Sequence, residues 1–253
     1  MRGVVALLWL FAAGCGDSTG GALVRFNASA SGVSGTGGLS FSSALGTPLV
    51  LNRARLHLGA VYLNETVPTS GAAAQSCLSQ GLYVGQVFGP LDVDLLSGEA
   101  QPFPDEGEGT TMEARTAEVW LTGGDINAND DPTPILQLEG EARLDGGTLP
   151  FNATVTIGSN RLPPVSDPAL PSANPICRQR IVSPLLVELT LEADGLLTLQ
   201  LDPRRLFDAV DFSSFAPDAG TYVFPDDASG SGAALFRGLR SSAVYSFDWK
   251  KPR

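Results

Sequence analysis

From residue 136 to 157 the chain alternates between apolar and polar side chains with a period of two, broken once. Leu136, Leu138, Ala142 and Leu144 alternate with Gln137, Glu139, Glu141 and Arg143. Asp145-Gly146-Gly147 follows, and then Phe151, Ala153, Val155 and Ile157 alternate with Asn152, Thr154 and Thr156. Successive strand side chains point to opposite faces, so the pattern predicts a β-hairpin with one dry and one wet face. The dry face must be covered by another layer, which commits the chain to a packed β fold.

Other segments read the same way. Residues 22–28 form a first strand. Residues 48–63 form a long one, with Ala54, Leu56, Leu58, Ala60 and Tyr62 on one face and Arg53, Arg55 and His57 on the other. Val61 and Leu63 make its second face apolar too, so the strand is expected to start half exposed and end buried. Residues 82–87, 91–96 and 112–121 read as further strands. Asp92 and Asp94 fall on one face. The Pro-, Gly- and acid-rich stretch 101–109 reads as a surface loop. Leu185, Val187, Leu189 and Leu191, then Ala193-Asp194-Gly195, then Leu197, Leu199 and Leu201 predict a second hairpin. The Pro-rich stretch 162–175 reads as a crossover outside the sheets, since proline donates no ladder hydrogen bond.

Helical periodicity is scarce. Asp202-Pro203 fits an N-cap followed by proline at the first helical position, so 204–208 is expected to be one short helix, packed down by Phe207, Val210, Phe212 and Phe215. Residues 233–239 form another helical turn and 243–249 a last strand. Together these predict an all-β fold, an antiparallel β-sandwich or barrel-like sandwich with one or two short helices. The 29 glycines and 18 prolines agree with many turns, while a hydrophobic content of 43% is too high for a disordered chain.

The N-terminus fixes where such a domain works. Met1-Arg2-Gly3 precedes an apolar run over 4–13 and then Gly14-Cys15. A basic start, a short apolar middle and small residues make a secretory signal; the run is far below the ~20 residues that span a bilayer. Ala12-Ala13-Gly14-Cys15 resembles the lipobox of bacterial lipoproteins. That resemblance implies that residues 1–14 are a signal peptide, that Cys15 carries a diacylglycerol, and that 15–21 are a lipidated tether for one β-rich domain over 22–253. In that family Asp directly after the lipidated cysteine marks inner-membrane retention. Here the position holds Gly16, which implies outer-membrane attachment.

With Cys15 assigned to lipid, Cys77 and Cys177 remain as an even pair in an oxidising compartment. They are expected to form a disulfide, with buried free thiols as the alternative. The formal charge is -11, and removing Arg2 leaves 15 basic residues against 27 acidic. Such a chain is repelled by phosphate backbones, which excludes nucleic acid as a partner. The membrane is reached through the lipid, and the ligand or partner is left unnamed.

Chemistry is sparse. His57 is the one histidine, mid-strand beside two arginines, with no nucleophile-elbow pattern nearby, so an active site would have to be dispersed. No P-loop or dinucleotide fingerprint is present. Zinc and copper want clusters of His, Cys or Met that this chain lacks. Calcium is the one metal with a candidate: Asp125, Asn127, Asn129 and Asp131 place side-chain oxygens at alternating positions, as at the start of a calcium loop. That loop departs from the EF-hand pattern at Asp130 and Leu136, and a polar turn before Pro132 is the simpler reading. Arg178, Arg180, Arg204 and Arg205 are expected to pair with surface carboxylates. The segments Leu51-Asn52-Arg53-Ala54-Arg55-Leu56-His57-Leu58 and Leu138-Glu139-Gly140-Glu141-Ala142 resemble periplasmic MbnP-like copper-binding domains. The poverty of His and Met means that no copper ligand is carried over. The expected function is therefore that of a lipid-anchored, non-enzymatic binding or structural β-sandwich, with a calcium-stabilised module or an envelope hydrolase as alternatives.

Overall fold

The computed structural model describes residues 20–35, 37–67, 81–122, 124–126, 128, 131–156, 177–215, 220–228 and 230–251. Cys15, Cys77, Asn127, Asn129 and the expected crossover at 162–175 lie outside them.

The described residues are mostly strand, in the order β1 Leu23–Ser31, β2 Leu39–Ser42, β3 Pro48–Asn64, β4 Tyr83–Asp94, β5 Gln101–Pro102, β6 Gly107–Thr110, β7 Glu113–Trp120, β8 Pro134–Leu144, β9 Gly147–Thr156, β10 Ile181–Thr190, β11 Leu196–Leu201, β12 Tyr222–Val223 and β13 Tyr245–Lys250. Two helices, α1 Cys177–Arg180 and α2 Gly230–Leu239, accompany them, with short 3-10 turns at Pro203–Phe207, Phe212–Ser214 and Ser242–Val244.

β3 is the hinge of the architecture. Its first half pairs with β8 on one edge, and its second half pairs with β7 on that same side of the strand order. β2 and then β4 pair with it as well. One strand thus pairs with four others, and its burial follows the sequence: alternating at first, then mostly buried on both faces from Leu58. The strand run β10-β7-β3-β4-β6-β1-β11-β13 curls until β13 comes back against β10. The β8–β9 hairpin closes as its alternation predicts, from Pro134↔Thr156 to Leu144↔Gly147. The all-β, sandwich-like fold is as the sequence indicates, with a mixed sheet: β1 runs parallel to β11 and β12 parallel to β9.

Three local expectations change. The segment 185–201 is not a hairpin. β10 pairs with β7, whereas β11 pairs with β1 and β13. The turn between them bonds to β1 instead, Asp194 N–H to the Arg25 carbonyl and Asn27 N–H to the Gly195 carbonyl. It carries the chain from one sheet to the other. The 101–109 stretch is not a surface loop either: β5 pairs with β1, and β6 lies between β1 and β4. Its glycines are required by packing, because a Cβ at Gly107 would sit 2.3 Å from the Phe26 ring and one at Gly109 would sit 2.5 Å from Leu191. Finally, 82–87 and 91–96 are one strand, β4, with a register shift near Gly89-Pro90.

One hydrophobic cluster joins residues from both ends of the strand order, including Phe26, Leu56, Val93, Phe151 and Leu199. Phe207 and Phe212 stack against Phe151 at centroid distances of 5.7 and 5.8 Å, as the sequence anticipates for the 3-10 turn capped by Asp202. No helix among the described residues is long and apolar enough to cross a membrane.

Candidate functional site

Cross-strand register turns isolated sequence positions into a connected surface. On the outer face, Arg25 on β1 stands opposite Glu108 on β6, Glu108 opposite Gln86 on β4, Gln86 opposite Tyr62 on β3, and Tyr62 opposite Glu118 on β7. Alternation puts all of these side chains on the same face.

At one end of this row Glu118 is fully buried. Its carboxylate accepts from the Tyr83 hydroxyl at 3.0 Å, the Ser183 hydroxyl at 3.2 Å and the Trp120 indole N–H at 3.4 Å. Tyr62 packs against Trp120, Tyr83 and Phe88 at centroid distances of 4.8, 5.7 and 6.2 Å. Burial, and then the nearby Glu118 charge, push the Tyr62 phenol above its usual value. Phe88 remains 44% exposed. The sequence carries a faint sign of this cluster, Glu118 alone between apolar neighbours in a strand, but not of its burial.

At the other end lies a groove of about 470 Å³, within the range of small-ligand sites. Leu23 and Tyr83 line it with apolar surface, Arg25, Gln86 and Glu108 supply polar groups, and Gly85 and Gly109 line it as well. Arg25 Nη2 and Glu108 Oε1 are 3.4 Å apart and both exposed. Leu23 is 89% exposed.

His57 lies on the other half of β3. Its Nδ1 is 2.7 Å from Asp92 Oδ1 on β4, and the pair is register-matched. Arg55 stands opposite Asp94, and Arg53 donates to Glu139 on β8 at 2.9 Å. The expected basic face of β3 is thus lined by carboxylates from both neighbours. Among the described residues, no hydrogen bond joins His57 to a Ser, Thr or Cys side chain.

Two members of the oxygen-rich loop are described. Asp131 accepts from the Thr122 hydroxyl at 3.0 Å and from Thr133 N–H at 3.1 Å. Burial pushes its carboxyl upward, but the hydrogen bonds from Thr133 and Thr122 and the Arg180 charge outweigh that and hold it below the ordinary range. The carbonyls of Asp125 and Ala128 accept from Arg180, at 2.6 and 2.7 Å. Arg180 is therefore not a surface partner of carboxylates, as its sequence context suggests, but a fully buried residue that clamps this loop. Arg204 does pair as expected, with Asp202 at 2.7 Å. No group of three or more His, Cys, Asp or Glu side chains among the described residues is placed to hold a metal ion. Cys177, at the start of α1, is buried and disulfide-bonded.

No family model matches this chain, and no curated protein matches it. Among solved structures, it is similar to MbnP from Methylosinus trichosporium, with 14% sequence identity, coverage of 89% of this chain and 96% of that chain, and a TM-score of 0.38. MbnP is a weak structural neighbour at that level, and the likeness carries no argument about the site.

Proposed function

We propose that this chain is an envelope lipoprotein, anchored through a diacylglycerol on Cys15, whose β-sandwich acts by binding. The observation that carries the binding part is the groove between Leu23 and Tyr83, which combines apolar walls with a few convergent polar groups on rigid strands. Its wall residue Leu23 follows Cys15 by eight positions. At ~3.3–3.6 Å per extended residue the groove would stand within about 30 Å of the membrane. Two acyl chains at ~0.8 kcal/mol per buried methylene give a stable anchor without a spanning helix. Cys77 is the partner proposed for Cys177, which leaves Cys15 for lipid.

Two experiments test this. Palmitate labelling should be present in the wild type and lost in Cys15→Ser; persistent labelling of that variant sinks the anchor. Affinity capture from envelope fractions should be weakened by Gln86→Ala in the groove; capture indifferent to that change sinks the site.

An envelope hydrolase is a second reading, favoured by the 2.7 Å His57–Asp92 contact, which has the form of a base and its orienting carboxylate. A fluorophosphonate probe that labels the protein in a His57-dependent manner would support it. A calcium-stabilised module rests on the spacing of Asp125, Asn127, Asn129 and Asp131. Arg180 weighs against it, since a guanidinium already supplies positive charge to that loop.

A further inference from the structure

We infer that the groove between β1, β6 and β4 is a site for a neutral oligosaccharide. This rests on the binding reading of the same groove given above and names its ligand class.

Charge is the first argument. Although the chain is strongly acidic, the groove carries one guanidinium and one carboxylate, Arg25 and Glu108, 3.4 Å apart. Their charges offset, so the groove selects neither a cation nor an anion. What remains is hydrogen-bonding capacity of every kind. Arg25 only donates, Glu108 only accepts, and Gln86 does both. A ligand that uses all three must itself present donors and acceptors side by side. Hydroxyl groups do so.

Shape is the second argument. Leu23 and Tyr83 line the groove with apolar surface beside the cross-strand row of Arg25, Glu108 and Gln86. A pyranose ring has the matching character: C–H groups on its faces and hydroxyls around its rim. An aromatic side chain receives such a face, and a planar amide or guanidinium receives the rim. Simple alkyl ligands would leave the polar row unsatisfied, at a cost for each desolvated group.

Pre-organisation is the third. The Tyr83 hydroxyl donates to the buried Glu118, which also accepts from Trp120 on β7 and Ser183 on β10. The ring is therefore fixed before any ligand arrives, and Gln86 and Glu108 sit on paired strands. Little ordering entropy is left to lose on binding.

The test uses the processed full-length protein and calorimetric titration with three neutral probes: cellotetraose, maltotetraose and chitotetraose. At least one should saturate with a Kd below about 1 mM. Arg25→Ala and Gln86→Ala should each weaken it by about tenfold or more while the melting curve still shows a folded protein, because Arg25 is exposed and Gln86 only half-buried. Glu188→Gln, away from the groove, should change nothing. Failure of all three probes to saturate at 10-fold higher concentration, or saturation indifferent to both Arg25→Ala and Gln86→Ala, overturns the proposal. If no sugar binds but envelope capture is still lost in Gln86→Ala, the ligand class is wrong and the binding reading stands. If capture is indifferent as well, both fall.

Discussion

The Arg180 guanidinium donates from Nη1 to the backbone carbonyl of Asp125 at 2.6 Å, across 55 residues of chain. Its Nη2 reaches the Ala128 carbonyl in the same way. A fully buried charge is tolerated because its donors meet the backbone carbonyls of a loop. Arg180→Met keeps the side-chain length and removes the donors. It should cost about 2–4 kcal/mol of stability, the penalty for stranding buried acceptors. Urea denaturation reads this directly, and an unshifted midpoint would show that the loop stands without its clamp.

The same contact predicts the calcium response. A bound ion would stabilise the fold by about 2.7 kcal/mol at a hundredfold excess over its Kd. With Arg180 on two of the loop carbonyls, excess calcium and a chelator should give the same melting temperature. A calcium-dependent rise that vanishes in Asp125→Asn would restore the ion to this loop.

Asp202 predicts a pH effect. Burial pushes its carboxyl up, but hydrogen bonds from the Arg204 side chain and N–H, with the charges of Arg204 and Arg205, bring it below the ordinary value. A depressed folded-state value means stability that is present above the unfolded value of ~3.9 and is lost as pH falls through the folded one. Asp202→Asn keeps an acceptor for the turn at Pro203–Phe207 but not the charge. It should melt below the wild type at neutral pH, with the gap closing under acid conditions. A gap that persists at the lowest pH would assign the loss to the cap rather than to the charge.

The proposed pairing of Cys77 with Cys177 predicts a redox effect. Closing a loop of about 100 residues is worth about 4–5 kcal/mol on the loop-entropy relation. Reduction should lower the melting temperature, and Cys77→Ser should reproduce the loss without reductant. Alkylation of Cys77 in the denatured but unreduced protein would rule out the pairing.

The β8–β9 hairpin was fully legible in the sequence because everything that defines it is local: a period of two, a turn and a wet face. The burial gradient along β3 was legible for the same reason, since Val61 and Leu63 fill the second face late in the strand. The segment 185–201 shows where local reading stops. Two apolar strands around Ala193-Asp194-Gly195 look like a hairpin, yet Asp194 and Gly195 bond to β1 and send the strands to different sheets. Likewise Gly107 and Gly109 are poor strand formers by propensity. They sit in β6 because Phe26 and Leu191 leave no space for a Cβ.

The sequence by itself determined the strand content, the wet and dry faces and the cap at Asp202, all properties of neighbours in the chain. Only the tertiary structure decided which strands meet. Register between distant strands brings Asp92 to His57, sets Arg25, Glu108, Gln86, Tyr62 and Glu118 in one row, and carries Arg180 to Asp125. None of these contacts has a local signature, because each depends on long-range pairing that a period of two permits in many registers and only the shared core selects.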